Sequence, residues 1–210
     1  MSEELRKEYL AWCQKRYERA SELDGFEVLR RYGRSEGSQQ MRDQVPLVQY
    51  LAESRRLLLF GHPATGKSTI CSRLMALVAG GADVGSKHEQ GLCKELEGLT
   101  PFYVSATKLK KEFSSLEELS EVMALGGGEF HELARSVFAL GRGMLLVDDF
   151  EVFSTSTERA RKAVALRSAV ECAIGPSNNR IIIFSRQFFP LDLPQFGPLD
   201  IGTLANKAFT

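Results

Sequence analysis

Residues 57–69 read LLLFGHPATGKST, and this stretch decides the fold. It opens with four apolar residues that fit a buried strand. Gly61 and Gly66 bracket the turn that follows, because glycine adopts backbone conformations in which a Cβ would clash. An amphipathic helical pattern continues over residues 67–78. A strand, a glycine-rich loop and a helix in this order predict a phosphate-binding loop.

The loop matches the pattern GxxxxGK[ST], known as the P-loop or Walker A motif. Its successive N–H groups are expected to converge on an anion at the start of a helix. Lys67 would bring a positive charge to the β- and γ-phosphates, and Ser68 would offer its hydroxyl to Mg²⁺. The predicted nucleotide-binding residues are Gly61, His62, Pro63, Ala64, Thr65, Gly66, Lys67, Ser68 and Thr69.

A second apolar stretch, MLLVDD at residues 144–149, ends in two acidic residues and fits a Walker B strand. Asp148 would lie at the carboxyl end of this strand and hold Mg²⁺, either directly or through water. Two residues are candidates for the general base that orients the attacking water, Asp149 and Glu151. The sequence does not decide between them, and we favour Asp149.

Arg186 follows a third apolar run, residues 181–184, and a serine. In open α/β sheets, ligands bind at the carboxyl ends of the strands, where this arginine is expected. It could therefore contact a γ-phosphate and sense hydrolysis. The alternative is a surface arginine that closes the strand, and both interpretations stay open.

Apolar runs alternate with helical patterns along most of the chain. Strands that are apolar on both faces and alternate with helices predict an α/β fold with a parallel sheet. Beyond the P-loop helix we predict a helix over 117–125 capped by a Ser114–Glu117 pair, another over 129–140, and a fourth from about residue 157. The predicted strands are Leu57–Phe60, Phe102–Ala106, Met144–Phe150, Ile181–Phe184 and a weaker one near Leu199–Ile201.

The N-terminal region, residues 1–44, is predicted to be a helical segment and a polar loop preceding a core of residues 45–210. Leu5, Trp12 and Tyr17 belong to an apolar stripe at helical spacing, with Gly25 as its expected end. The stripe has two interpretations. The favoured one is a helix packed on the core, and the other is a docking surface for an unknown protein partner.

Composition excludes several classes of protein. The 210 residues are 43% hydrophobic and 26% charged, which fits one folded α/β domain, or one domain with a short appendage. The formal net charge of zero disfavours non-specific binding of DNA or RNA. The four cysteines and three histidines show no metal-ligand spacing. The charged N-terminus lacks a signal peptide's apolar segment, and no apolar run is long enough to cross a bilayer. We therefore expect a cytoplasmic protein.

These motifs together resemble the STAND class of P-loop NTPases, the signalling ATPases that include the NACHT and NB-ARC families. The segments that resemble this class are GHPATGKST, MLLVDDFEVF, NRIIIFSR and TPFYVSATKLKK. The Asp148–Asp149 pair resembles NB-ARC proteins, whereas Glu151 matches an acidic position of NACHT proteins. The resemblance implies a three-layer sandwich with a five-stranded parallel sheet in the order 5-1-4-3-2, and it implies ATP or ADP with Mg²⁺ as ligands.

The expected function is therefore an ATP-binding signalling switch with slow Mg²⁺-dependent hydrolysis. The sequence ends at Thr210, soon after the fifth predicted strand, so we expect a core without the helical and winged-helix lid of STAND proteins. Such a core should be mainly monomeric and should turn over slowly. Two alternatives remain, an AAA+-like loader or motor acting on nucleic acid and a nucleotide-stabilised scaffold without turnover.

Overall fold

Strands and helices alternate along the chain. The computed structural model describes residues 3–18, 55–61, 66–80, 89–150, 156–175, 178–186 and 197–200. The expected helix end at Gly25 lies outside them. No helix in these ranges is long and apolar enough to cross a membrane. The helices are α1 (Glu3–Arg16), α2 (Lys67–Gly80), α3 (Gln90–Glu95), α4 (Leu116–Ser120), α5 (Phe130–Ala139) and α6 (Ser156–Ile174), with a 3-10 helix at Ala106–Lys108. The strands are β1 (Arg56–Phe60), β2 (Thr100–Ser105), β3 (Gly143–Phe150), β4 (Arg180–Ser185) and β5 (Gly197–Asp200).

The strands form one sheet in the order β2-β3-β4-β1-β5, and every neighbouring pair is parallel. In β4 every residue is buried, and in β3 every residue except Asp149 is buried. Consecutive residues of a strand point to opposite faces, so burial along the whole strand means that both faces of the sheet are covered. The predicted α/β class, with β1 to β4 forming a parallel sheet, is confirmed.

Helix α1 covers the edge of the sheet at β2. The guanidinium of Arg6 donates to the carbonyl of Leu99 at 3.1 Å, and the hydroxyl of Tyr9 donates to the carbonyl of Pro101 at 2.8 Å. An edge strand otherwise presents unpaired backbone groups on which another chain can pair. These contacts give two carbonyls at this edge a partner within the chain.

The apolar side of α1 is part of the hydrophobic core. Tyr9 is fully buried, and its ring lies 5.2 Å from that of Phe102 and 5.2 Å from that of Phe130. Trp12 stacks on Tyr9 at 5.7 Å, and its indole fills the space beside Gly126 that a Cβ would need. Gly126 also has a φ of +58°, which favours glycine.

The structure therefore shows the packed interpretation of α1. Leu5, Trp12 and Tyr17, named above as a possible docking surface, pack against the core instead. A partner that contacts other parts of this helix stays a prediction.

The helix predicted over 117–125 is shorter and begins one residue earlier. It spans Leu116–Ser120, and its N-cap is Ser115, whose hydroxyl accepts from the Glu118 N–H at 3.3 Å. The Glu118 carboxylate accepts in return from the Ser114 N–H at 3.0 Å. The capping pair predicted at Ser114 and Glu117 is thus displaced by one residue, because Ser115 has the extended backbone that an N-cap needs.

Candidate nucleotide-binding site

A cavity of about 250 Å³ lies at the carboxyl ends of β3 and β4, beside the start of α2. Polar and charged side chains from three separate segments meet in it, as expected where parallel strands end together. Its lining residues are Gly66, Lys67, Ser68, Thr69, Asp148, Asp149, Phe150, Phe184, Ser185 and Arg186. Most of the charged residues that the sequence predicts for nucleotide binding are therefore close together.

The described ends of the P-loop have the backbone expected of an anion-binding turn. Gly66 has a φ of +80°, and its carbonyl accepts the first hydrogen bond of α2, from the Ile70 N–H at 2.8 Å. Gly61 continues β1, and its N–H donates to the carbonyl of Ser185 at 3.1 Å. The first N–H groups of a helix have no acceptor within it, so they are available to a phosphate. His62, Pro63, Ala64 and Thr65 lie outside the described residues.

Lys67 lines the cavity and is also held by the loop. Its ammonium donates to the carbonyl of Gly61 at 2.6 Å, across the turn. Burial lowers the pKa of Lys67, the nearby Arg186 guanidinium lowers it further, and the Asp148 carboxylate opposes both. Two cations that disfavour each other therefore share this cavity with a carboxylate. A polyanion bound there would relieve their repulsion.

Ser68 and Asp148 form the polar pair that the Walker motifs predict. Asp148 is only 5% exposed, and burial raises the pKa of its carboxyl group. Hydrogen bonds from the Asp149 N–H and the Ser68 side chain oppose this rise in pKa. A hydroxyl and a buried carboxylate in contact supply two of the oxygen ligands that Mg²⁺ prefers. The residues present therefore fit the cation that the sequence implies.

A β-bulge places Asp149 in the same cavity as Asp148. Val147 pairs with Ile183 and Phe150 with Ser185, so β3 has one more residue than β4 between these pairs. The two residues of β3 between these pairs are Asp148 and Asp149. Asp149 has a φ of +61°, and among the described residues other than glycine it alone has a positive φ. In a regular strand the two aspartates would face opposite sides of the sheet. At the bulge both aspartates line the same cavity.

Ser105, at the end of β2, contacts Asp149. Its hydroxyl donates to Asp149 Oδ2 at 3.2 Å and lies 2.8 Å from the hydroxyl of Thr107. Sequence reasoning did not select either residue. The signal was present, however, because β2 runs parallel to β3 and ends in hydroxyl residues at the same edge of the sheet.

Arg186 follows β4 and is anchored through its backbone, where its N–H donates to the carbonyl of Phe150 at 3.3 Å. Its side chain lines the same cavity as Lys67 and Asp148. The position is thus compatible with the γ-phosphate sensor predicted for it, which stays a prediction. Glu151, the other candidate for the base, lies outside the described residues.

A larger cavity, of about 520 Å³, lies at the opposite end of α2, beside Leu77, Leu96 and Leu99. Its charged residues are Arg6, Lys94 and Glu97, and none of them belongs to the P-loop or follows the carboxyl end of a strand. Volume alone would favour this cavity, but the smaller one combines the start of the P-loop helix with the aspartates at the end of β3. We therefore assign the candidate site to the smaller cavity by its chemistry.

Comparisons with known proteins add little to this geometry. No family model and no curated protein matches the chain. A solved structure of C. elegans PCH-2 aligns with 97% of this chain and 44% of its own chain, at 11% sequence identity and a TM-score of 0.33. The chain thus spans less than half of that protein. The assignment of fold and site rests on the sheet and the cavity described above.

Proposed function

We propose that this protein is an ATP-binding switch of the STAND type, with slow Mg²⁺-dependent hydrolysis. The observation that carries the proposal is the meeting of Lys67, Ser68, Asp148, Asp149 and Arg186 in one cavity at the start of α2. Together these side chains supply cations for the phosphates, oxygen ligands for Mg²⁺ and a carboxylate that could orient water, which are the groups that phosphoryl transfer needs.

The P-loop and the side chains of Lys67 and Arg186 would bind the phosphates of the nucleotide. Lys67 would exchange its contact with the Gly61 carbonyl for a phosphate oxygen, and Arg186 would add a second charge-assisted hydrogen bond. Ser68 and Asp148 would hold Mg²⁺, which neutralises phosphate charge during transfer. Asp149, the one exposed residue of β3, could orient a water molecule.

The slow turnover and the mainly monomeric state expected from the sequence are kept as part of the proposal. Turnover is proposed to be well below the ordinary enzyme median of about 10 per second. The division into residues 1–44 and 45–210 is kept as a proposal, with α1 packed on the core.

All four cysteines are free thiols, which favours a reducing compartment such as the cytoplasm.

The decisive experiment measures ATP binding and hydrolysis with and without Mg²⁺. ATP with Mg²⁺ should raise the melting temperature of the wild type, and Lys67→Ala should lose this rise while folding normally, because it removes a contact with phosphate rather than core packing. Lys110→Ala is the matched control, since Lys110 is an exposed lysine outside the cavity. An unchanged response of Lys67→Ala to ATP would contradict the assignment.

The same assay separates the alternatives. Hydrolysis that single-stranded DNA stimulates, from a stable hexamer in light scattering, would favour a loader or motor on nucleic acid. ATP binding without turnover under any condition would favour a nucleotide-stabilised scaffold. Slow turnover by a monomer, independent of DNA, is the result that the switch proposal expects.

A further inference from the structure

We propose that Thr107 and Ser105 form a hydroxyl relay that positions Asp149 for its role in hydrolysis. The inference rests on the proposed function and adds two positioning residues to it. Neither belongs to the Walker motifs: Ser105 is the last residue of β2, and Thr107 lies in the 3-10 helix that follows it.

The direction of the hydrogen bonds follows from counting protons. An ionised carboxylate only accepts, so the hydrogen bond between Ser105 and Asp149 must use the one proton of the Ser105 hydroxyl. That proton is then not available to Thr107, whose hydroxyl lies 2.8 Å from Ser105 Oγ. The Thr107 hydroxyl must therefore donate to Ser105. The relay runs from Thr107 through Ser105 to Asp149 Oδ2.

The backbone holds the relay in place. Ser105 is the N-cap of the 3-10 helix, and its Oγ also accepts from the Thr107 N–H at 3.4 Å. Next to it, Ala106 and Leu109 are 1% exposed, so the short helix is anchored in the core on both sides of Thr107. The hydroxyl of Ser105 is thus fixed by neighbours that do not belong to the nucleotide site.

Asp149 needs such a partner because the bulge leaves it exposed. Its backbone is fixed at a φ of +61°, but its side chain is exposed, so burial in a core does not select its rotamer. A hydrogen bond from Ser105 selects the arrangement in which one carboxylate oxygen faces β2. The other oxygen, Oδ1, is then directed away from Ser105 and can accept from a water molecule. Ser105 and Thr107 act through Asp149, so they are positioning residues.

The first test measures steady-state hydrolysis with saturating ATP and Mg²⁺. Ser105→Ala should lower kcat roughly ten- to a hundredfold and leave KM within about twofold, because it disturbs the base and not the phosphate contacts. Ser105→Thr keeps the hydroxyl and should restore most of the lost kcat. Thr107→Val should lower kcat by a smaller factor than Ser105→Ala. Unchanged kcat in Ser105→Ala, or no rescue by threonine, would overturn the proposal.

The second test needs neither nucleotide nor metal. The free energies of unfolding of Ser105→Ala, Asp149→Gly and the double variant, measured in denaturant, form a double-mutant cycle in the ligand-free protein. Glycine removes the acceptor and tolerates the positive φ of this position. We expect the free energy of unfolding to fall less in the double variant than the sum of its falls in the two single variants, because both single variants break the same hydrogen bond. Additive losses would mean that Ser105 does not hold Asp149. A wild type without ATPase activity would instead overturn the proposed function, and this cycle would still decide on the contact.

Discussion

The β2 edge and the carboxyl end of β3 differ in how their polar groups are arranged. At the β2 edge, α1 gives backbone carbonyls partners and buries stacked aromatic rings. At the carboxyl end of β3, the chain instead has a bulge, an aspartate with positive φ and a second aspartate whose carboxylate is buried. Strain and unfavourable burial persist only where the surroundings impose them, and they concentrate at functional sites. The comparison separates residues that stabilise the fold from residues that carry chemistry.

The largest expected effect is that of Tyr9→Ala, which tests whether the contacts of α1 at the β2 edge stabilise the fold. The ring of Tyr9 is fully buried among three aromatic rings, so we expect the free energy of unfolding to fall by about 3–5 kcal/mol. Denaturant unfolding measures this loss. Tyr9→Phe is the matched control, since it keeps the ring and removes only the hydroxyl, with its hydrogen bonds to Pro101 and Cys13, and should cost about 1–2 kcal/mol. A loss below about 1 kcal/mol in Tyr9→Ala would mean that α1 is not part of the core.

The second prediction concerns the bulge and compares Asp149→Gly with Asp149→Ala. Alanine is strained at positive φ and glycine is not, so the glycine variant should be more stable by about 1–2 kcal/mol in denaturant unfolding. Both variants should bind ATP and lose turnover. Equal stability of the two would contradict the left-handed backbone. If both Asp149 variants hydrolyse ATP normally and Glu151→Gln does not, the general base is Glu151.

The smallest expected effect is that of Asp148→Asn. Burial raises the pKa of Asp148 above its ordinary value of 3.8, so the folded state holds this proton more tightly than the unfolded state. The wild-type free energy of unfolding therefore falls as the pH rises from the unfolded-state pKa to the raised folded-state pKa. Above both values the loss is complete. Asparagine removes the buried charge.

We expect the ligand-free Asp148→Asn protein to melt at a higher temperature than the wild type at pH 7. The difference should shrink as the pH falls through the raised pKa and then through 3.8, because Asp148 is protonated in both states only below both values. Melting curves at several pH values check this, with Asp149→Asn as the control in which the replaced carboxylate is exposed. A lower melting temperature for Asp148→Asn at pH 7 would show that its hydrogen bonds outweigh the cost of burial.

The sequence predicts those features that depend on local pattern. The strands and the helix after Gly66 follow from apolar periodicity, and the P-loop follows from a spacing that the backbone geometry requires. The β3 bulge has no such signal, because aspartate tolerates both ordinary and left-handed backbone. The contact between Ser105 and Asp149 depends on the pairing of β2 with β3, which joins residues 44 positions apart. The displaced cap at Ser115 shows the usual uncertainty of helix ends.

The packing of Trp12 against Gly126 has an optical consequence. Trp12 is the only tryptophan in the chain, so intrinsic indole emission comes from a single site on α1. The ring is stacked on Tyr9 and lies 5.2 Å from the Arg16 guanidinium, an environment that separation of α1 from the sheet would replace with water. Emission wavelength and backbone circular dichroism therefore report different events, the first the release of one helix and the second the loss of the whole fold. Recorded together on one sample, they would show whether this helix leaves before the sheet unfolds.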